Sequence, residues 1–283
     1  MKVGVVLSGG FAKGAYQLGA LRAISEYIPL EDITCVSGSS IGTVNAFAYI
    51  TKQMDSLIDM WMNIFAGKEK MFIADLLKSE LLQQDISNIC EKGAPSTTFY
   101  TTLFDITEKA ACYKDLSKVT SELCATYLKA SIAFPVYNKA VEINGHRHYD
   151  GGFLDNIPVY PLMQHDLDYI ICVYFDDIAY RFEDDRFDNK IIKVNFPNMS
   201  SIKKSFFLTP NDVSQMMNEG YERTMYVLRS MFADGYDNLE TISKSIVWHN
   251  KQLGDHKLRL TTDVVITNVN KMLARYAKRK IIL

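Results

Sequence analysis

Residues 38–42 (GSSIG) carry the strongest indication of chemistry in the sequence, because they form a G-x-S-x-G pattern. In a nucleophile elbow a serine stands on a tight, strained turn between a strand and a helix, and the glycines beside it leave room for that turn. The turn lifts the serine hydroxyl clear of the sheet and directs the N-terminus of the helix at the reacting carbonyl group. Ser40 is therefore a candidate nucleophile, with a purely structural glycine-serine turn as the alternative.

Residues 8–14 (SGGFAKG) form a second glycine-rich turn, the glycine-rich loop. A phosphate-binding loop is one interpretation, but the segment lacks the Lys-Ser/Thr ending of a P-loop, and Phe11 and Ala12 break the G-x-G-x-x-G pattern. The other interpretation is an oxyanion hole, in which backbone N–H groups at the start of a helix stabilise developing negative charge. We favour the oxyanion hole, because the ends of neighbouring parallel strands lie side by side and would place this loop beside Ser40.

Asp150, followed by Gly151 and Gly152, is the third candidate. A serine hydroxyl becomes nucleophilic when a base lies within about 2.6–3.2 Å of it, and histidine is the usual base. The sequence has five histidines, of which His146 and His148 are more simply explained as exposed polar positions of a strand. The glycines after Asp150 allow close approach of the backbone, so this carboxylate is itself a candidate base. An ordinary Asp-Gly turn is the alternative.

The elements around these segments alternate between strand and helix. Residues 2–7 (KVGVVL) and 34–36 are typical of short buried strands, and apolar residues at helical spacing predict helices over 14–27 and 41–50. This order of strand, helix, strand and helix favours a parallel sheet with right-handed crossovers.

Further patterns extend the prediction along the chain. Residues 54–65 hold an apolar helical stripe, for which we favour core packing over a lid that touches lipid. The dipeptide 144–145 (Asn-Gly) predicts a two-residue hairpin turn, and residues 169–175 (YIICVYF) predict a buried strand. Residues 209–212 (TPND) combine a capping box with proline at the first helical position. Because no repeat or linker-like segment divides the chain, we expect one domain.

The composition indicates a soluble globular chain and excludes other classes of protein. The chain has 283 residues, 48% of them hydrophobic, and a net charge of −2, which excludes the basic field of a dedicated nucleic-acid binder. Five scattered cysteines without a C-x-x-C pair indicate reduced, mostly buried thiols and neither a zinc site nor a disulfide framework. The N-terminal apolar run is too short for a signal peptide, and no run approaches the ~18 residues of a membrane span. We therefore expect a cytoplasmic protein without a metal or cofactor.

Taken in chain order, the three segments resemble the patatin-like phospholipase family. Residues 7–21 (LSGGFAKGAYQLGAL) are similar to its glycine-rich oxyanion loop and following helix, and residues 37–46 (SGSSIGTVNA) to its nucleophile elbow. Residues 150–159 (DGGFLDNIPV) are similar to its Asp-Gly-Gly segment, and residues 130–135 (ASIAFP) match its Ala-Ser-x-Ala-x-Pro run. The resemblance covers roughly residues 1–231.

The resemblance implies a three-layer α/β/α fold with a mostly parallel central sheet, and a Ser–Asp dyad that works without histidine. Ser40 would be the nucleophile and Asp150 the base, with an oxyanion hole formed by the amides of Gly9, Gly10 and Phe11. The supporting residues of the loop and the elbow would be Lys13, Gly14, Gly38, Gly42, Gly151 and Gly152. The family's third consecutive glycine is Phe11 here, and a bulky residue would be strained if that position requires a positive φ.

The implied activity is hydrolysis of carboxylic ester bonds in phospholipids or other acyl lipids through an acyl-enzyme intermediate. An acyltransferase with the same dyad and a non-catalytic phosphate- or ligand-binding α/β module are the alternatives. No cofactor and no nucleic-acid partner are expected.

The C-terminal part of the chain is the candidate for a peripheral membrane contact. Apolar residues recur near helical spacing over residues 264–283, together with five basic residues, which predicts a basic amphipathic helix. We favour docking of this helix on the protein over its resting on anionic lipid. We expect residues 1–231 to form the catalytic domain and residues 232–283 to form a helical extension packed on it.

Overall fold

The computed structural model describes residues 1–76, 78–135, 137–175, 188–196, 207–254 and 278–282. The helices in these ranges are α1 (Gly14–Tyr27), α2 (Ile41–Ile50), α3 (Met54–Asn63), α4 (Ile73–Leu76), α5 (Glu80–Lys92), α6 (Ser121–Ser131), α7 (Pro210–Met231) and α8 (Leu239–Gly254). The strands are β1 (Val3–Leu7), β2 (Ile33–Ser39), β3 (Met71–Phe72), β4 (Thr98–Asp105), β5 (Ala110–Asp115), β6 (Val141–Ile143), β7 (His146–Asp150), β8 (Tyr169–Tyr174), β9 (Ile191–Asn195), β10 (Phe207–Leu208) and β11 (Lys278–Ile282).

Nine of the described strands form one mixed sheet, in the order β11-β5-β4-β2-β1-β8-β9, with β7 beside β4 and β6 beside β7. Neighbouring strands are parallel except where β4 meets β5 and β7 and where β6 meets β7. Alternate residues of β1 enter different apolar clusters: Val5 and Leu7 belong to the larger cluster and Val6 to the smaller one. Both faces of the sheet are therefore covered, as parallel strands require, and the predicted α/β fold with a mostly parallel central sheet is confirmed.

The local predictions near the N-terminus are confirmed. The helices α1 and α2 begin and end at the predicted residues, β1 lies within the predicted residues 2–7, and β2 contains the predicted residues 34–36. Within the stripe of residues 54–65, Leu57, Trp61 and Phe65 lie in the larger core cluster, which confirms core packing for these three side chains.

The predicted hairpin and capping box are also present. Asn144 and Gly145, with φ of 52° and 79°, join β6 to β7. At the start of α7 the Thr209 hydroxyl accepts from the Asp212 N–H, while the Asp212 carboxylate accepts from the Thr209 N–H. All five cysteines are free and buried, as expected.

The C-terminal prediction is wrong for residues 278–282, which form strand β11 instead of a helix. This strand pairs in parallel with β5 and covers an edge of the sheet that would otherwise expose unpaired backbone groups. The helical spacing of the sequence does not reveal such a long-range pairing. Residues 264–277 and 283, which complete the predicted helix, lie outside the described residues. Among the described helices, none is both long enough and apolar enough to span a bilayer.

Candidate active site

Ser40 and Asp150 meet because two strands approach each other end to end along one side of β4. The strand β2 runs parallel to β4, and its last residue, Ser39, pairs with Thr102. The strand β7 runs antiparallel to β4, and its last residue, Asp150, pairs with Leu103. Consecutive residues of β4 therefore hold the ends of both strands, which brings the serine after β2 to the aspartate that ends β7.

Ser40 stands on a strained turn between β2 and α2. Its φ of 53° and ψ of −134° are values that residues with a side chain rarely adopt. A Cβ atom at Gly38 would lie 2.5 Å from Cα of Thr43, and one at Gly42 would lie 2.5 Å from the carbonyl oxygen of Ser8. Both glycines are thus required by close backbone contacts, and the turn has the geometry of a nucleophile elbow.

Ser40 and Asp150 are both buried, and the Ser40 hydroxyl lies close enough to the Asp150 carboxyl group to lower its pKa. Asp150 Oδ1 also accepts from the Gly152 N–H at 2.8 Å, and the Asp150 N–H donates to the carbonyl oxygen of Ala133 at 2.9 Å. Burial raises the pKa of Asp150 to about 7, although the hydrogen bonds from Ser40 and Gly152 lower it. A carboxylate with a pKa near neutrality is suited to accept a proton from a serine hydroxyl.

The histidines near the dyad have a different partner. His146 Nδ1 lies 2.7 Å from Asp105 Oδ2, and His148 Nε2 lies 4.0 Å from the same oxygen. The expectation that both histidines are exposed is wrong for His148, which is 4% exposed, because helix α6 packs against the hairpin of β6 and β7. No described histidine forms a hydrogen bond with Ser40 or Asp150.

The glycine-rich loop lies directly against Ser40, as the parallel strand order predicted. A Cβ atom on Gly9 would be 2.8 Å from Cβ of Ser40. Asn156 holds this glycine through two hydrogen bonds: the Gly9 N–H donates to the Asn156 carbonyl oxygen at 3.2 Å, and Asn156 Nδ2 donates to the Gly9 carbonyl oxygen at 3.2 Å. The Gly9 N–H is thus engaged by Asn156 in this conformation, and the role of Gly9 as an oxyanion donor stays a prediction. The N–H groups of Gly10 and Phe11 have no acceptor within the part of the chain that the structure describes.

Phe11 occupies the position of the family's third glycine with a φ of 49°. The conditional expectation of strain is thus confirmed, since the position does require a positive φ, at a cost of about 1–3 kcal/mol. The Phe11 ring meets the Phe134 ring edge-on, with centroids 5.1 Å apart and an interplanar angle of 63°. Such aromatic pairs contribute about 0.5–1.5 kcal/mol beyond the area that they bury, which offsets part of the strain.

The remaining predicted residues support the local backbone. The Lys13 N–H donates to the carbonyl oxygen of Gly10 at 3.0 Å and closes the short 3-10 turn within the loop. Gly14 begins α1, where a Cβ atom would lie 2.8 Å from side chains at the start of α2 and in α3. A Cβ atom on Gly151 would lie 2.5 Å from the backbone nitrogen of Leu103, so the chain after Asp150 packs directly on β4.

Sequence reasoning missed Asn156 and Phe134. Asn156 fixes the glycine-rich loop, and Phe134 contacts the rings of both Phe11 and Phe153. The available signal was their position inside residues 150–159 and 130–135, two of the segments that carry the resemblance to the family.

The raised pKa of Asp150 predicts that this residue reduces folding stability as the pH rises. Its carboxyl group ionises near the ordinary value of 3.8 when unfolded and near 7 when folded, so between these values the folded protein retains a proton that the unfolded chain has lost. Stability therefore falls over this range, by about 4 kcal/mol in the free energy of unfolding for a shift of this size. We expect Asp150→Asn to gain stability over wild type progressively between about pH 4 and 7, as measured by urea unfolding. A constant difference at every pH would contradict the raised pKa.

Comparisons with known proteins address the family and the fold. The family model described as "Patatin-like phospholipase" matches residues 5–163. VipD from Legionella pneumophila has 15% sequence identity and a TM-score of 0.53, over 81% of this chain and 67% of the VipD chain. No curated protein sequence matches the chain.

Two structures of the effector ExoU are also similar to the chain. The type III effector ExoU has 16% identity and a TM-score of 0.39, over 81% of this chain and 53% of the ExoU chain. ExoU in complex with SpcU from Pseudomonas aeruginosa has 15% identity and a TM-score of 0.37, over 98% of this chain and 61% of that chain. The protein thus spans 53% to 67% of the length of these three solved chains.

The family assignment rests on the family model, and the likeness to VipD supports the fold. The matched residues include the glycine-rich loop, the elbow and the Asp-Gly-Gly segment, and they cover more than half of the chain. The chain belongs to the patatin-like phospholipase family, whose members are generally lipid acyl hydrolases.

Proposed function

We propose that the protein is a serine lipid acyl hydrolase that cleaves carboxylic ester bonds of phospholipids or other acyl lipids with Ser40 as nucleophile and Asp150 as base. The observation that carries this proposal is that the ends of β2 and β7 bring the buried Ser40 to the buried Asp150 carboxyl group, whose pKa is about 7. Membership in the family supports acyl lipids as the class of substrate.

The first half of the reaction forms an acyl-enzyme. Asp150 accepts the hydroxyl proton as Ser40 Oγ bonds to the acyl carbon, and the carbonyl electron pair moves onto oxygen. When this tetrahedral intermediate collapses, the bond to the alcohol oxygen breaks, and the proton held by Asp150 passes to the departing alcohol. In the second half Asp150 takes a proton from water, which attacks the acyl carbon. The fatty acid leaves, and Ser40 regains its proton.

Backbone groups stabilise the oxyanion in both halves. The N–H groups of Gly10 and Phe11 are available to donate to it, and one such donor contributes about 10²–10³-fold in rate. Ser40 is also the N-cap residue of α2 and its side chain does not cap that helix, so the positive end of the helix dipole lies beside the reacting atoms.

We also assign the catalytic domain to residues 1–231 and treat residues 232–283 as an extension packed on it. Two contacts support this assignment. Asn250 Nδ2 on α8 donates to the carbonyl oxygen of Asp188 at 3.0 Å, next to β9, and β11 pairs with β5 in the central sheet.

The proposed function is tested by incubating the protein with phosphatidylcholine and phosphatidylglycerol vesicles in water enriched in oxygen-18. We expect released fatty acid that carries one oxygen-18 atom and lysolipid that carries none, because water attacks the acyl carbon only in the second half of the reaction. Formation of a glycerol ester in place of free fatty acid, when glycerol is added, would identify an acyltransferase. Absence of any product from folded protein would contradict an enzymatic role and favour a ligand-binding module.

A further inference from the structure

Three phenylalanines from three separate segments of the site pack together beside the glycine-rich loop. The ring centroid of Phe134 lies 5.1 Å from that of Phe11 and 4.8 Å from that of Phe153. Phe11 follows Gly10 in the loop, Phe134 follows α6, and Phe153 follows the glycines after Asp150. We call these three side chains the aromatic cluster.

The aromatic cluster is only partly buried, although it lies against the buried dyad. Each of its three members keeps partial solvent exposure, whereas core rings such as Phe47 and Phe99 are fully buried. The cluster therefore leaves apolar ring surface available for contact.

Phe11 connects this surface to the proposed oxyanion hole, because its N–H is one of the two proposed donors. An oxyanion bonded to the Phe11 N–H would lie about 3 Å from that nitrogen, so the ring on the same residue is close to the groups attached to the acyl carbon. These rings carry no charge or hydrogen-bond donor, and a phosphate head group against them would lose its hydration without compensation. An alkyl chain instead gains about fourfold in affinity for each methylene that it buries.

The apolar surface continues outward to the edge of the protein. The ring of Tyr137 lies 5.9 Å from that of Phe134 and is 40% exposed, and Lys78 Nζ lies 5.6 Å from the centre of the Tyr137 ring. The rings thus lead from the glycine-rich loop to the protein surface beside Lys78, a path along which an acyl chain whose carbonyl end lies at the dyad can extend.

We propose that Phe11 is a specificity-determining residue whose ring, together with Phe134 and Phe153, binds the acyl chain of the substrate. This proposal rests on the acyl hydrolase function given above. Phe134 is in addition a positioning residue, because it touches the loop that holds the oxyanion donors as well as the segment after Asp150. Its own backbone is fixed by Asn138, which accepts from the Phe134 N–H at 3.1 Å and donates to the Phe134 carbonyl oxygen at 2.9 Å.

The test compares p-nitrophenyl acetate with p-nitrophenyl octanoate in wild type and in Phe11→Gly, which restores the residue of the family pattern. We expect wild type to prefer the octanoate. Loss of several buried methylene contacts in Phe11→Gly should lower the octanoate-to-acetate ratio of kcat/KM by at least about tenfold, mainly through the KM for octanoate. Phe134→Leu keeps an apolar side chain without the ring, and it should lower the same ratio and also kcat for both esters.

Tyr27→Leu is the matched control. Tyr27 is a half-buried aromatic residue with its ring 5.6 Å from that of Phe232. It lies ahead of the N-terminal end of β2, whereas Ser40 follows the C-terminal end of that strand. The octanoate-to-acetate ratio should be unchanged in this variant. If thermal melting shows that Phe11→Gly is not folded, Phe153→Leu provides the same comparison, since it removes a ring from the cluster without changing the strained loop.

A fluorophosphonate probe separates failure of this inference from failure of the proposed function. The probe reports a reactive Ser40 and needs no acyl chain. A Phe11→Gly protein that is labelled at the wild-type rate and keeps the wild-type preference for octanoate would overturn the acyl-binding role alone. Wild-type protein that is neither labelled nor active on any ester would overturn the acyl hydrolase function, and the acyl-binding role with it.

Discussion

Replacing Ser40 with alanine is expected to lower kcat/KM for ester substrates by about 10⁴-fold or more. The alanine removes the oxygen that forms the acyl-enzyme, while the oxyanion donors and the substrate contacts remain. Hydrolysis of p-nitrophenyl butyrate and release of fatty acid from phospholipid vesicles both measure the loss. The folded state should survive, because the substitution removes one hydroxyl group.

The adjacent residue provides the control for this prediction. The Ser39 hydroxyl is buried without a hydrogen-bond partner in the described part of the chain, so Ser39→Ala removes the same atoms one residue away. We expect its kcat/KM to stay within about threefold of wild type, as for a substitution outside the reacting groups. A Ser40→Ala protein that retains activity comparable with that of Ser39→Ala would show that another residue is the nucleophile.

Replacing Asp150 with asparagine is expected to lower kcat by about 10³–10⁴-fold, because an amide accepts no proton from Ser40. In wild type the base must be ionised, so the rate should fall about tenfold for each pH unit below a pKa of about 7 and level off above it. The residual rate of the asparagine variant should lack this dependence. The measurement is kcat/KM for an uncharged ester between about pH 5 and 9.

His146→Gln is the matched control for the pH profile. His146 lies on the same strand as Asp150 and has its contact with Asp105, so its removal should leave the rise near pH 7 in place. Loss of the rise in His146→Gln would assign the titrating base to His146. Persistence of the rise in Asp150→Asn would show that Asp150 is not the titrating base.

The parts of the structure that the sequence predicts well are those that local chemistry determines. The bounds of α1 and α2 follow from glycines at their starts and apolar residues at helical spacing. The hairpin follows from the Asn-Gly dipeptide, whose two residues tolerate a positive φ. The elbow follows from Gly38 and Gly42, because those positions have no space for a Cβ atom.

The parts that could not be predicted depend on contacts between distant segments. The meeting of Ser40 with Asp150 is produced by the register of Thr102 and Leu103 in β4, which no local pattern specifies. The engagement of the Gly9 N–H by Asn156, 147 residues further along the chain, likewise has no local signal. The resemblance to the family predicted that Ser40 and Asp150 act together, but not which neighbours fix the loop.

Peptide mapping of protein treated with a fluorophosphonate tests the central claim, that Ser40 is an activated nucleophile paired with Asp150. We expect a single phosphonyl adduct on Ser40, with a labelling rate that rises as the pH passes through about 7 and falls sharply in Asp150→Asn. An adduct on a different residue, or a folded protein that is not labelled at all, would contradict it.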